Sequence, residues 1–218
     1  MPDTDKQFEL RQLLKAYRKG LISDEMFEEQ MREIQVGETG TTSAPPTAPT
    51  RTYYLRDKTF SSERDLLVHF LDEFRAGETF GGAVFSLWAE VTGDPCIRGG
   101  VRAVCEREAM HGRVLAERLG EIGAQPRASL PEGFREAARN RLGSPEVSDR
   151  DKVSDFLQQI PDAEAAVAPI RQVIAQIDDD LETRSLLEGI LEDELATIRW
   201  LHATGEAMGI RSSSEDSN

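Results

Sequence analysis

Glu108 and His111, three residues apart, are the pair whose types and spacing most directly suggest chemistry in this chain of 218 residues. On a helix, side chains at i and i+3 share a face and point toward the same neighbour. A carboxylate and an imidazole presented together in this way form a ligand pair for a metal ion. Further glutamates stand at a repeated distance: Glu78 lies 30 residues before Glu108, and Glu164 lies 30 residues before Glu194. Glu78, Glu108, Glu164 and Glu194 all fall on apolar helical stripes, whereas most of the 40 acidic residues fall on polar faces. Burying one unpaired carboxylate costs several kcal/mol, so four converging on one core need a positive partner. Arg113 or Arg199 could serve if turned inward. Metal ions serve directly, and hard oxygen donors suit iron and manganese. Thr197 stands where a second histidine would complete the pattern.

The elements that must position these residues follow from an internal repeat. Shifting the sequence by 86 residues aligns 64–123 with 150–209 without a gap, and thirteen of these 60 positions are identical. Among them are Arg64/Arg150, Glu78/Glu164, Asp94/Asp180, Glu108/Glu194 and Gly123/Gly209. Random pairing of such compositions gives roughly one identity in fifteen, which makes duplication the reading of this register. Each repeat reads as two long helices. Leu67, Phe70, Leu71, Phe74, Val84, Phe85 and Trp88 recur at three- and four-residue steps, Gly93-Asp94-Pro95 interrupts, and Val101, Val104, Glu108, His111, Leu115 and Ile122 resume the rhythm. The second repeat follows suit with Val153, Phe156, Leu157, Ile160, Glu164, Val167 and Ile170, then Leu187, Ile190, Glu194, Thr197 and Leu201. Four amphipathic helices with one inward stripe each predict an all-α four-helix bundle. The stretch 125–147, punctuated by Pro126, Pro131, Gly143 and Pro145, predicts a long crossover between the second and third helices. Pro161 and Pro169 each remove a helix hydrogen bond, so the third helix is expected to start late or kink.

Two segments precede this main domain, which is taken as 53–211 with a disordered tail at 212–218. Residues 5–36 predict a helical hairpin: Leu10, Leu13, Leu14 and Tyr17 sit at helical spacing, Gly20 ends the first helix and Ser23 caps the second. Residues 37–52, rich in Thr, Pro, Ala and Gly, predict a flexible linker. The string from Leu10 to Ile34, with Gly20-Leu21-Ile22-Ser23-Asp24-Glu25-Met26-Phe27 at its centre, resembles the SHOCT family of small helical modules. That resemblance implies an oligomerisation or interaction appendage.

The lone Glu on one helix followed by Glu-x-x-His on the next, in duplicate, resembles the ferritin-like superfamily and in plan the rubrerythrin-type di-iron carboxylate bundles. The resemblance spans roughly 60–210. It implies Glu78 and His111 as terminal ligands of one metal, Glu108 and Glu194 as bridges, and Glu164 as a terminal ligand of a second metal. The cofactor implied is iron, as two ions or as one firmly bound and one weak, with manganese as the other metal. Because Thr197 departs from the family pattern, the second metal is expected to bind more weakly, to take water in place of nitrogen, or to be absent. The implied activity is a non-haem di-iron oxidoreductase, acting as a ferroxidase, peroxidase or oxygenase on dioxygen or peroxide with a separate electron donor, in a homo-oligomer. The alternative is a non-catalytic ferritin-like bundle with a degenerate metal site, serving as an oligomerisation or interaction module. Substituting Thr197→His should raise the stoichiometry toward two ions if the second site is merely weakened.

Composition sets outer bounds on these readings. Forty acidic against 26 basic residues give a net charge of −14, a field that repels nucleic acid and anionic membrane and attracts cations. The longest uncharged apolar run, Thr79 to Ala89, is far short of the ~20 residues that span a bilayer. The first ten residues, MPDTDKQFEL, are charged from the third onward, and Cys96 and Cys105 form no C-x-x-C pair. A cytoplasmic protein with reduced thiols is therefore expected.

Overall fold

In the computed structural model the chain divides into two units, Met1–Thr50 and Arg51–Asn218. The structure describes residues 51–210 and, in the first unit, Leu13, Met26, Phe27, Gln30 and Met31, all five in helical conformation. The remainder of the predicted 5–36 hairpin, most of the 37–52 linker and the 212–218 tail lie outside the described residues.

The described part of the second unit is mostly helical, with six helices and one short antiparallel hairpin. Strands β1 (Tyr53–Leu55) and β2 (Lys58–Phe60) open it. Tyr53 and Leu55 turn inward and Tyr54 outward, as a pleated strand requires. The two-residue turn is made at Arg56, whose φ of 52 is uncommon for a residue with a side chain. Helix α1 (Glu63–Val91) follows, then α2 (Pro95–Glu121), α3 (Glu132–Leu142), α4 (Asp149–Gln159), α5 (Ala163–Ile174) and α6 (Leu181–Ala207). Helices α1 and α2, joined by only Thr92–Asp94, pack along one another. Helix α6 packs on α5, α4 and α2, and α1 also touches α3 and α5. None of the described helices is long and apolar enough to cross a membrane.

Helix ends carry the duplication more clearly than the identities do. Ser62 and Ser148 cap α1 and α4, accepting from the backbone N–H of Asp65 and Asp151 respectively. Asp94 and Asp180 cap α2 and α6, which are both 27 residues long and keep the 86-residue offset at either end. Gly123 and Gly209, at φ 77 and 67, turn the chain out of α2 and α6 in the left-handed conformation that glycine tolerates. Arg64 donates to the carbonyl of Ile122, and Arg150 to the carbonyls of Met208 and Gly209. Each half also grips the inter-helix loop of the other. Glu63, the first residue of α1, accepts from the backbone N–H groups of Asp178, Asp179 and Asp180. Asp149, the first residue of α4, accepts from Trp88 Nε1 and Thr92 Oγ1, both at 2.6 Å. These paired contacts make a pseudo-two-fold relation between the halves.

The halves differ at three places that the sequence reading did not foresee or only partly foresaw. The start of the main domain is a β-hairpin rather than helix or coil, held because the Gln176 side-chain amide satisfies both the N–H and the C=O of Tyr54. The crossover contains α3, whose carbonyls are closed at Gly143 and whose Leu142 reaches the core. The third long helix is broken outright into α4 and α5. Proline lacks an N–H and its ring crowds the carbonyl four residues back, so α4 stops before Pro161 and Asp162 caps a new helix. Pro169 is carried inside α5.

The core is the set of stripes read from periodicity. Leu67, Leu71, Trp88, Val101, Val104, Leu115, Val153 and Leu187 are fully or almost fully buried, each worth about 1.5–3 kcal/mol relative to exposure. Phe85, Trp88 and Phe156 stack on one another across the two halves. Arg118, also buried, closes one end by donating Nη2 to both oxygens of Asp180 at 2.6 and 2.7 Å and Nε to Thr183 Oγ1 at 2.7 Å.

Candidate metal centre

Three helices deliver the acidic stripes to one point inside the second unit. Helix α1 supplies Glu78, α2 supplies Glu108 and His111, and α6 supplies Glu194. His111, Glu78 and Glu108 are 1%, 5% and 8% exposed. Glu78, His111 and Glu194 each offer one ligand atom, and those three atoms lie within 4.8 Å of one another.

Glycine makes room for this convergence. A Cβ at Gly81 would collide with Glu108 Oε2, and a Cβ at Gly112 would meet Thr79 Oγ1 at 2.6 Å and the Thr79 backbone nitrogen at 3.1 Å. The α1 and α2 backbones therefore approach closely beside the site, and the Glu108 carboxylate lies in the space that Gly81 leaves open. Each helical glycine costs about 1 kcal/mol relative to alanine.

Protons hold the charges together. His111 Nδ1 donates to Glu78 Oε2 at 2.9 Å, and Nε2 donates to Asp193 Oδ2 at 3.1 Å, which makes the ring an imidazolium. Burial would lower its pKa, but the surrounding carboxylates of Glu194, Glu78 and Asp193 outweigh that and hold it at about 10. Burial pushes the Glu108 carboxyl up to about 9, reinforced by the charges of Glu78 and Glu194. Burial also raises Glu78, to about 7, and the charge of Glu194 adds to this. Hydrogen bonds from His111 and Glu108 work the other way. Glu108 is thus the protonated member that donates to Glu78.

One buried acceptor is left over. Glu194 Oε1 lies 3.5 Å from His111 Nδ1, whose proton is committed to Glu78, and it has no hydrogen-bond partner. A buried oxygen without a hydrogen-bond partner costs about 1–3 kcal/mol, offset here in part by the charge of the imidazolium 3.5 Å away. Arg113 and Arg199 are both exposed, so neither turns inward as a counter-charge. A cation among Glu78, Glu194 and the Nδ1 side of His111 would satisfy the orphan oxygen and replace the protons. The donor set of hard carboxylate oxygens and one imidazole fits iron or manganese.

Glu164 is a correction. Its side chain is 67% exposed and paired with Arg171, 3.0 Å from Oε2 to Nε. The break at Pro161 places it in the first turn of α5, where Asp162 caps its backbone N–H and the helix dipole favours its charge. Thr197 is buried on α6, as its stripe position requires. His202 Nε2 lies 3.2 Å from the carbonyl oxygen of Ile160, and His69 pairs with Lys58 and Glu73. Neither histidine replaces the missing one.

Asp193 is the residue that sequence reasoning missed. Its side chain is 41% exposed, and its position lies off the apolar stripe. The available signal was its repeat partner: Asp193 is equivalent to Arg107, one step before each stripe glutamate. The two positions touch, Arg107 Nη1 donating to the Asp193 carbonyl at 3.0 Å. Cys105 packs beside the site and donates to the Gly82 carbonyl, and both Cys96 and Cys105 are free thiols.

Compared with known proteins, the chain matches no protein-family model and no curated protein.

Proposed function

We propose that this chain is a ferritin-like oxidoreductase that binds iron, or manganese, at Glu78, Glu108, His111 and Glu194 and reacts with dioxygen or peroxide. The observation that carries this reading is the orphan oxygen of Glu194, buried 3.5 Å from His111 Nδ1 in a cluster already crowded with carboxylates. A structural cluster would be expected to pair that oxygen. Bound there, the metal would supply reversible electron transfer and an electrophilic position for a small oxidant.

The chain's own residues have definable tasks. His111 releases the Nδ1 proton and keeps the Nε2 proton on Asp193, which fixes the ring orientation and tautomer. Glu78 and Glu194 present oxygens from opposite helices, and Glu108 gives up its proton as the metal takes over the positive charge. Val104 and Leu115, both fully buried, flank the α2 ligands along the same stripe and help to keep bulk water out. Electrons come from a separate donor.

Anaerobic loading with ferrous iron, followed by metal analysis and thermal unfolding, tests the reading. At 100 times Kd a bound ion adds about 2.7 kcal/mol, or about 5–10 °C in Tm for a chain of this size. Admitting air should then oxidise the iron faster than in protein-free buffer. An iron-free protein with an unchanged Tm would sink the proposal. One observation favours a second reading, in which the bundle is non-catalytic and the cluster is only a proton-held joint: both His111 nitrogens already have carboxylate partners. The iron-free outcome would select it.

A further inference from the structure

We infer that the centre holds one metal ion per chain, not two; this rests on the metal-binding reading above. The two halves agree in the length of α2 and α6, in caps, terminal glycines and arginine clamps, yet they part at the ligands. In the first half Glu78 and His111 are buried and 2.9 Å apart. In the second half the equivalents are Glu164, exposed and ion-paired to Arg171, and Thr197, which offers only a hydroxyl. Among the described residues, Glu78, His111 and Glu194 form the one group of acidic, histidine or cysteine ligands that converges within metal-binding distance.

The energetics set the barrier to a second site. The Glu164–Arg171 pair is exposed, and exposed ion pairs hold their partners only weakly, so it is not what keeps Glu164 out. The backbone does. Glu164 sits two residues after the Asp162 cap and three after Pro161. A helix running on from α4 to carry Glu164 inward would place Pro161 in its interior, where the missing N–H and the ring's clash with the carbonyl four residues back oppose it. The break therefore removes the carboxylate that a second ion would need, independently of the missing histidine. Nuclearity decides chemistry here, because a single iron changes charge by one electron where a pair supplies two.

The experiment is anaerobic titration of the full chain with manganous ion, read by metal analysis and by electron paramagnetic resonance. One ion per chain with the six-line spectrum of an isolated ion is expected. Two ions per chain with the multiline spectrum of a coupled pair would overturn the inference while leaving the metal-binding reading intact. No uptake of manganous or ferrous ion would overturn both. Two variants sharpen the result. Glu164→Ala should leave stoichiometry and affinity unchanged, and a tenfold loss of affinity would count against the inference. Thr197→His should still bind one ion, because the opposing carboxylate remains at the surface, and a rise to two would refute it.

Discussion

At the scale of single residues, Asp193 bears most directly on the proposed role of His111 as a metal ligand. Its Oδ2 lies 3.1 Å from His111 Nε2 and so directs the other nitrogen toward Glu78 and Glu194. Partners of this kind are worth about 10- to 100-fold in metal affinity. Asp193→Ala should therefore weaken manganous ion binding by that factor, measured by competition with a chromophoric chelator. Asp193→Asn keeps an oxygen that can accept from Nε2–H and should recover part of the loss. The Asp193 backbone carbonyl still receives Arg107 in both variants, so helix packing is preserved. Equal affinities in all three proteins would show that the ring is held by packing alone.

Helices and their junctions carry most of what was legible in the sequence, and also what was not. The α2 stripe of Val101, Val104, Glu108, His111, Leu115 and Ile122 is buried at every position, because a 3.6-residue period sustained over several turns has one structural solution. The stripe position of Glu164 presumes a helix unbroken through Pro161; Pro161 and Pro169 predict a late start or a kink, and the late start, capped by Asp162, is what turns Glu164 outward. Helix α3 and the β-hairpin escaped because each is short and depends on distant partners, such as Gln176 for Tyr54. The glycines of the α1–α2 contact give a paired prediction. Gly112→Ala drives a methyl against the Thr79 backbone, so it should lower stability by about 1–2 kcal/mol net of its helix-propensity gain. At Gly81 the obstacle is only the end of the Glu108 side chain. Gly81→Ala should leave chemical-denaturation stability equal or higher while weakening metal binding. Equal loss of stability in both would mean that helix approach, not carboxylate placement, is the role of Gly81.

For the whole molecule, the cluster couples folding to protons and, on the proposed reading, to metal. Glu78 and Glu108 hold their protons to about pH 7 and 9 in the folded state, against 4.5 as the ordinary value. His111 holds its extra proton to about pH 10, against 6.5. The folded protein thus carries more protons than the unfolded chain between about pH 4.5 and 10, and stability falls as pH rises through that window. The His111 contribution is complete below pH 6.5 and gone above 10, while the penalty at the two glutamates grows from pH 4.5 until each ionises. One excess proton corresponds to about 1.4 kcal/mol per pH unit, or about 3–5 °C in Tm for this chain length. With chelator present, Tm should therefore decline steadily from pH 6 to 9. Asp180 and Asp72, whose carboxyls are held below the ordinary 3.8, act only at more acid pH and leave this slope untouched. A metal ion bound as proposed would take the place of the protons, so its uptake would release them and strengthen with pH. The rise in Tm on adding manganous ion should be larger at pH 8.5 than at pH 6.5. Scanning calorimetry with chelator and with metal gives both curves, and a metal-free Tm that is flat or rising over pH 6–9 would contradict a cluster held together by protons.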